Sequence, residues 1–370
     1  MKSVDLFCGA GGFSEGLRQA GIKTAFAVDF DEQAIGTFKH NHKDVRALCA
    51  DVSTLTGDLI LAESGLTKGE VRLLVGGPPC QGFSLAGQRL PHDPKNKLVL
   101  EYVRIVGELQ PEYFIFENVF GLVSMQEGRV LQALIVEFEN IGYSVNSKIV
   151  NAADFGVPQT RPRFIMLGTS NKRPPTFPNP THADSDSIYK ASLITSSLSP
   201  HITVREALSD LPEILQGEGS EELEHTLPRT CEYQHARLGI RNPGYVYNHR
   251  ATRHSEAIVA RYAMITPGCS NACLPEDIRT KKNNVFRLHP DKPARTVTCN
   301  FRTDLLHPWL PRGTTVREAA RLQSFDDDYQ FFGNLTRKAK WVTQDDQVGN
   351  AVPPLLAKAL GIHVKNLCEE

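Results

Sequence analysis

No run of eighteen apolar residues occurs in this chain, so no membrane-spanning helix is expected. The first residues, MKSVDLFCGAGG, lack the basic-then-apolar layout of a signal peptide. Cysteine occurs eight times but without a regular framework, which argues for reduced thiols in a cytoplasmic protein rather than a disulfide scaffold. One close pair, Cys269 and Cys273, has loose metal-ligand spacing. No second pair accompanies it, so no metal site is expected. There is no internal repeat. Net charge is nearly absent too, at −1 over 370 residues. With 41% hydrophobic and 22% charged residues, what remains is an ordinary globular chain with ample core.

The small total hides an uneven distribution. From Pro228 to Arg302 there are 13 Lys and Arg against 5 Asp and Glu; from Met1 to Val150 the balance is 14 against 18. A basic segment suits a phosphate-binding face. A solvated, loop-rich surface has the same composition, so charge alone leaves both readings open.

The first half alternates short apolar runs with helical patterns. Strands are expected at Ser3–Phe7, Thr24–Val28, Val45–Cys49, Val71–Val75, Tyr113–Phe116, Val145–Val150 and Phe164–Leu167. Helices are expected at Phe13–Ala20, Glu32–His40, Asn96–Leu109 and Arg129–Ile141. Such alternation predicts an α/β fold, a doubly wound, mostly parallel sheet, with ligands bound at the carboxyl ends of its strands. After Gly168 the pattern breaks into Pro-rich KRPPTFPNP and a Ser-rich stretch. A second, smaller and irregular domain is expected there, with helices returning at Val316–Ser324 and Pro354–Leu367.

Three strand ends carry candidate chemistry. DLFCGAGGFSEGL places a glycine turn between the first strand and a helix, where backbone amides are open to a ligand. Asp29 ends the next strand, and an acid there typically binds ribose hydroxyls, so a nucleoside-containing cofactor is expected. The turn departs from G-x-G-x-x-G because Ser14 stands at the third glycine, which weakens NAD without excluding it. Asp51 ends the third strand and suits either an adenine amino group or a helix cap. In GGPPCQGFS, two prolines stiffen the chain before Cys80, among residues that do not belong in a core. Glu117 follows the apolar run YFIF, where a carboxylate is costly without a task or partner. Cys80 and Glu117 together suggest a nucleophile and an acid or hydrogen-bonding group.

DLFCGAGGFSEGL, GGPPCQGFS, FENV, QTRPRF and QVGNAVPP, in this order, resemble the DNA cytosine-carbon-5 methyltransferases in their compact prokaryotic form. The resemblance covers nearly the whole chain outside the middle segment. It implies a sheet of the S-adenosylmethionine-dependent methyltransferase type. It also implies a catalytic and cofactor-binding domain at 1–172, a target-recognition domain at 173–340 and a returning segment at 341–370. S-adenosyl-L-methionine is the implied cofactor, held by Phe7, Cys8, Gly9, Ala10, Gly11, Gly12 and Phe13. Asp29 would take the ribose, Phe30 and Asp51 with Val52 the adenine; Pro78 and Asn350, Ala351 and Val352 would complete the site. Cys80 is the implied nucleophile, Glu117 grips the cytosine, and Arg161 and Arg163 match the catalytic Q-x-R-x-R. Arg317, Glu318 and Arg321 to Phe325 match a late R-E-x-x-R-L-Q-x-F motif at the join to the recognition domain.

The implied partner is double-stranded DNA. Gln81, Ser84, Arg89, Lys97, Arg279, Lys281, Lys282, Arg295 and Arg302 are the candidates to contact it. A monomer in the prokaryotic cytoplasm, associated with the nucleoid, is expected, with a cognate restriction endonuclease acting separately. An RNA-modifying relative is the nearest alternative, but its Cys-Phe-Thr tripeptide is absent here.

Overall fold

A computed structural model describes residues 1–79, 97–185, 198–280, 282, 284–335 and 342–369. By contacts the chain forms two compact units. The first comprises Met1–Asn151, Pro162–Asn179 and Leu356–Glu370; the second comprises Ala152–Arg161 and Pro180–Leu355. The seams fall at 179/180 and 355/356, against the 172/173 and 340/341 that the resemblance implies. The second unit takes in about as much chain as the first, rather than less. The reason is that Ala152–Arg161 and residues 342–355 group with it.

The first unit is built on seven strands: β1 (Lys2–Leu6), β2 (Lys23–Asp29), β3 (Arg46–Cys49), β4 (Val71–Gly76), β5 (Tyr113–Val119), β6 (Ser144–Asn151) and β7 (Pro162–Thr169). Their spatial order is β3-β2-β1-β4-β5-β7-β6. All pairs are parallel except those of β7, which runs antiparallel to β5 and β6. The helices are α1 (Gly12–Gln19), α2 (Glu32–Asn41), α3 (Gly57–Ser64), α4 (Lys97–Leu109) and α5 (Arg129–Asn140). The sequence pattern anticipates all but α3, a single two-turn helix.

Side chains two apart on a strand share a face. Val4, Leu6, Phe26, Val28, Phe114, Phe116, Phe164 and Met166 therefore form one face, and all lie in one core cluster with residues of α3, α4 and α5. Within it Phe114 stacks on Phe138 with ring centres 4.2 Å apart, and Tyr102 meets Phe116 edge-on at 5.5 Å. The opposite face carries Ala27, which packs with Ile35 and Phe38 of α2. Gly361 of the last helix, Pro354–Leu367, lies close against Leu17, Ala20 and Ile22. Helices thus cover both faces, and the loops at the carboxyl ends of the parallel strands stay open for chemistry.

The second unit is irregular, as its composition suggests. It holds an antiparallel ribbon, Gly219–Glu224 with Tyr245–Arg250, and short helices including Glu256–Met264, Val316–Leu322 and Gln344–Asn350. Val316–Leu322 starts with a capping box, in which Thr315 and Glu318 bond each other's backbone amides.

Candidate active site

β1 ends in a turn that a glycine-poor sequence would resist. Phe7 takes φ of 58°, and Gly9 and Gly11 take 52° and 95°. A left-handed phenylalanine costs about 1–3 kcal/mol and persists only when its neighbours hold it. Here the Cys8 amide donates to the Val28 carbonyl at 3.0 Å, and the Gly11 amide to the Cys8 carbonyl at 2.9 Å. Asp29 pins the turn to β2: one carboxylate oxygen accepts the Gly9 amide at 2.9 Å, the other the Asp31 amide at 2.9 Å. Burial raises the Asp29 carboxyl above its ordinary range, while these amide bonds pull the other way. Each oxygen keeps a lone pair for a hydroxyl donor.

Cys8, Ala10, Gly11, Gly12 and Phe13 are buried, so the turn meets solvent elsewhere, at half-buried Gly9 and Phe7. Phe30, just past β2, is 61% exposed, an unusual state for a phenylalanine and one that suits stacking on a flat ring. Asp51 is exposed and caps the turn Val52–Thr54, accepting the Ser53 amide at 2.8 Å. That bond holds its carboxyl below the ordinary range. Val52 beneath it is buried.

The two glycines of GGPPC answer to close approach. A side chain on Gly76 would lie 2.6 Å from the Leu6 carbonyl, and one on Gly77 only 2.9 Å from Oε2 of Glu117. Glu117, near the end of β5, is ion-paired with Arg163 of β7, Nε to Oε1 at 2.9 Å, both side chains nearly buried. Arg163 also donates to the Pro162 carbonyl at 2.8 Å. Buried Asn118 reaches across to donate to the carbonyl of buried Pro78 at 3.0 Å. The sequence reading passed over that bond. The stretch up to Pro79 is therefore tied to the same strand end that offers the carboxylate. Cys80, Gln81, Ser84, Arg89 and Lys281 lie outside the described residues.

The Q-x-R-x-R motif is divided between the units. Arg163 belongs to the first. Gln159 and Arg161 belong to the second and are buried there. Gln159 donates to the Leu322 carbonyl and accepts the Val297 amide. Arg161 gives its guanidinium to the carbonyls of Val297 at 2.7 Å, Gly349 at 2.7 Å and Ala351 at 3.1 Å. The structure thus sets Arg161 as a brace around the Asn350 turn rather than a group offered to a base, which revises its catalytic assignment. Asn350 itself is exposed, and its side-chain oxygen accepts the Cys299 thiol at 3.1 Å; Ala351 and Val352 are half-buried.

Among the candidate phosphate contacts, Lys97, Arg279, Lys282 and Arg295 are exposed. Arg279 donates to the Leu274 carbonyl, Lys282 pairs with Asp304 at 2.7 Å, and Arg295 lies over the Phe286 ring at 4.7 Å. Arg302 is different. It is buried, with Nε on both oxygens of Asp345 and Nη2 on the Leu335 carbonyl, so its charge is spent inside the unit and it leaves the DNA-contact set.

A cluster of Asp210, His225 and Asp327 has the composition of a metal site. A guanidinium already bridges it: Arg321 bonds Asp210 at 2.9 Å through two nitrogens and Asp327 at 2.5 and 2.6 Å.

The strand order, the glycine turn after β1 and the acid ending β2 define the class: this is a sheet of the S-adenosylmethionine-dependent methyltransferase type. The family of C-5 cytosine-specific DNA methylases matches residues 1–366, and the chain belongs to it. It is 38% identical to Type II methyltransferase M.DdeI of Desulfomicrobium norvegicum over 97% of this chain and 87% of that one. It is 35% identical to Type II methyltransferase M1.HphI of Haemophilus parahaemolyticus over 96% and 84%. A prophage-encoded E. coli protein assigned as a DNA modification methyltransferase superposes with a TM-score of 0.78 at 27% identity, each chain covered fully. Dnmt2 methyltransferase of S. pombe shares the fold at a TM-score of 0.61 and 18% identity, with 99% of each chain covered. Among the described residues no helix is long and apolar enough to cross a membrane.

Proposed function

We propose how this DNA cytosine-5 methyltransferase divides its work. The first unit holds S-adenosylmethionine across the glycine turn and a flipped-out cytosine at the β4, β5 and β7 ends. The second unit reads a specific double-stranded sequence. The observation that carries this is the Glu117–Arg163 pair, set beside Gly77 at the mouth of the PPC loop. A carboxyl and a guanidinium locked together present a donor-acceptor edge of the kind that a pyrimidine's ring nitrogen, amino group and carbonyl require.

The cofactor fits the turn on two counts. Asp29 retains acceptor capacity beside the left-handed glycines, and Phe30 stands exposed at the strand end. Asp51 completes the proposed set within the first unit. When bound, S-adenosylmethionine supplies an electrophilic methyl group on a sulfonium. Carbon 5 of cytosine is too weak a nucleophile to take it unaided. Addition of the Cys80 thiolate to carbon 6 makes carbon 5 enamine-like and able to attack. Charge then gathers on the ring nitrogen and carbonyl, where Glu117 and Arg163 stabilise it; fixed groups of this kind are typically worth about 3–4 kcal/mol each. Loss of the carbon 5 proton expels Cys80 and restores the ring. Flipping the base out of the stack costs a few kcal/mol. Exposed Lys97, Arg279, Lys282 and Arg295, with Gln81, Ser84, Arg89 and Lys281, are proposed to meet the opened duplex. In the cell we place the protein as a cytoplasmic, nucleoid-associated monomer, alongside a separately acting cognate endonuclease.

The test is a duplex whose target cytosine carries fluorine at carbon 5. Fluorine cannot leave as a cation, so protein and DNA should stay covalently joined, only with S-adenosylmethionine present, through a peptide containing Cys80. Cys80→Ser should give no adduct. An adduct mapping elsewhere, or none although ordinary DNA is methylated, would overturn the mechanism. Labelled methyl transfer to RNA but not DNA would overturn the substrate.

A further inference from the structure

The mechanism leaves several buried titratable groups of the first unit unused, and one of them has no basic partner. Asp5, one residue before the end of β1, is 1% exposed. A file of hydroxyls leads to it through the protein interior. Ser3 Oγ donates to Thr24 Oγ1 at 3.3 Å, Thr24 to Ser14 Oγ at 3.3 Å, and Ser14 to Asp5 Oδ2 at 2.6 Å. All three hydroxyl residues are buried. Among the described residues no Lys, Arg or His pairs with Asp5. A carboxylate so placed is penalised by desolvation and favours its protonated form.

The groups facing it do not relieve that penalty. From β2 comes Asp29, a like charge; from the glycine turn, the Cys8 thiol; from α4, the Tyr102 hydroxyl. On α1 the neighbouring Glu15 is already paired with Arg18. Burial pushes the Asp5 carboxyl up to about 7, Ser14 pulls it down and Asp29 pushes it further up. Asp29 holds the Gly9 amide, so the charge on Asp5 is felt at the residue that fixes the turn.

We propose that Asp5 is the proton site linked to occupancy of the glycine turn: binding the cationic cofactor draws a proton off Asp5, so affinity rises with pH across neutrality. This rests on the reading that the turn binds S-adenosylmethionine. At neutral pH that molecule carries a sulfonium and an ammonium against one carboxylate, a net positive charge. Placed near Asp5, it favours the ionised form of that carboxyl. The proton passes from the carboxyl to the buffer, and no covalent bond of the cofactor changes. S-adenosylhomocysteine lacks the sulfonium, has no net charge and should release less.

Calorimetry on the full chain decides it. S-adenosylmethionine and S-adenosylhomocysteine are titrated at pH 7 in phosphate and in Tris, whose ionisation heats differ. The expected result is release of a fraction of a proton with the first ligand and a smaller fraction with the second. Asp5→Asn, nearly isosteric, should show neither. From pH 6 to 8 the affinity of the unmodified chain should rise by up to about tenfold per unit, and that of Asp5→Asn should stay flat. No buffer-dependent heat in the unmodified chain, or the same proton release in Asp5→Asn, overturns the proposal. If Asp5→Asn does not fold, Ser14→Ala serves. It removes the donor that favours the anion, so the midpoint of the affinity rise should move to higher pH, and an unmoved midpoint overturns the proposal. Absence of any binding heat with S-adenosylmethionine would overturn the cofactor reading itself, whereas binding without proton release leaves that reading standing and removes only the proton site.

Discussion

In the first unit the large, fully buried side chains are rings: Phe26, Phe38, Tyr102, Phe114, Phe116, Phe138 and Phe164. In the second they are mostly guanidinium groups, Arg161, Arg312, Arg317 and Arg321, with Tyr329. Arg312 is bidentate to Glu318 at 2.8 and 2.7 Å, and Arg321 holds two aspartates. Arg317 donates from each of its three nitrogens, to the carbonyls of Tyr247, Asp326 and Tyr329. One unit is closed by a repeating sheet that stacks apolar faces. The other has little repeating backbone, so its carbonyls need donors, and arginine supplies several per residue. A core built this way is specific but brittle: losing one partner leaves the rest buried and unpaired.

The largest expected effect separates chemistry from folding. Glu117→Gln should keep the fold, because the amide still fits beside Gly77, yet cut methyl transfer by about 10²–10³-fold. Initial rates with a labelled methyl donor check this. A loss of thermal stability comparable to a core mutation would show Glu117 to be structural instead.

Next comes the brittleness itself. Arg321→Met strands Asp210 and Asp327 and should cost about 3–5 kcal/mol, localised to the second unit by hydrogen exchange. Phe138→Ala should cost a similar amount in the first unit, by leaving a cavity. Equal loss of protection across both units in either variant would mean that they unfold together and that the contrast has no energetic meaning.

A smaller effect lies in pH, and its sign differs between the units. For Asp210, burial alone would raise the carboxyl, but the His225 and Arg321 bonds hold it down at about 2. Glu318 is likewise held well below the ordinary range, chiefly by Arg312 against its burial. Their contribution is complete above the ordinary carboxyl range near 4 and is lost as pH falls toward 2. Asp5 runs the other way, its folded value being raised to about 7. Its contribution is present below about 4 and lost as pH rises through 7. Protection measured from pH 3 to 8 should therefore weaken in the second unit at the acid end and in the first unit at the neutral end. Asp5→Asn should abolish the latter trend.

The smallest effect is on salt. DNA affinity should fall steeply as salt rises, and neutralising Arg279, Lys282 and Arg295 together should flatten the slope, by about 0.9 for each phosphate contact removed. An unchanged slope would move the DNA face elsewhere.

The sheet was legible because its signals are local. Strand alternation, glycine spacing and strand-end acids lie within a few residues of one another, and β1 to β7 fall within one to three residues of their expected ends. Helix α3 escaped because GDLILAES is too short and too apolar to show a stripe. The placing of Glu117 beside Arg163 was open only through the family resemblance, since 46 positions separate them and β5 and β7 must pair antiparallel to join them.

By itself the sequence determined the fold class and the family, because these follow from periodicity and from short, ordered motifs. Only the tertiary structure decided which arginines are free. Arg163 faces a carboxylate at a strand end, Arg161 and Arg302 are consumed by the interior, and Arg279 and Arg295 remain on the surface. Their side chains are chemically identical. What differs is the set of carbonyls and carboxylates that distant segments bring within about 3 Å, and hydrogen-bond reach of that kind has no period in the chain.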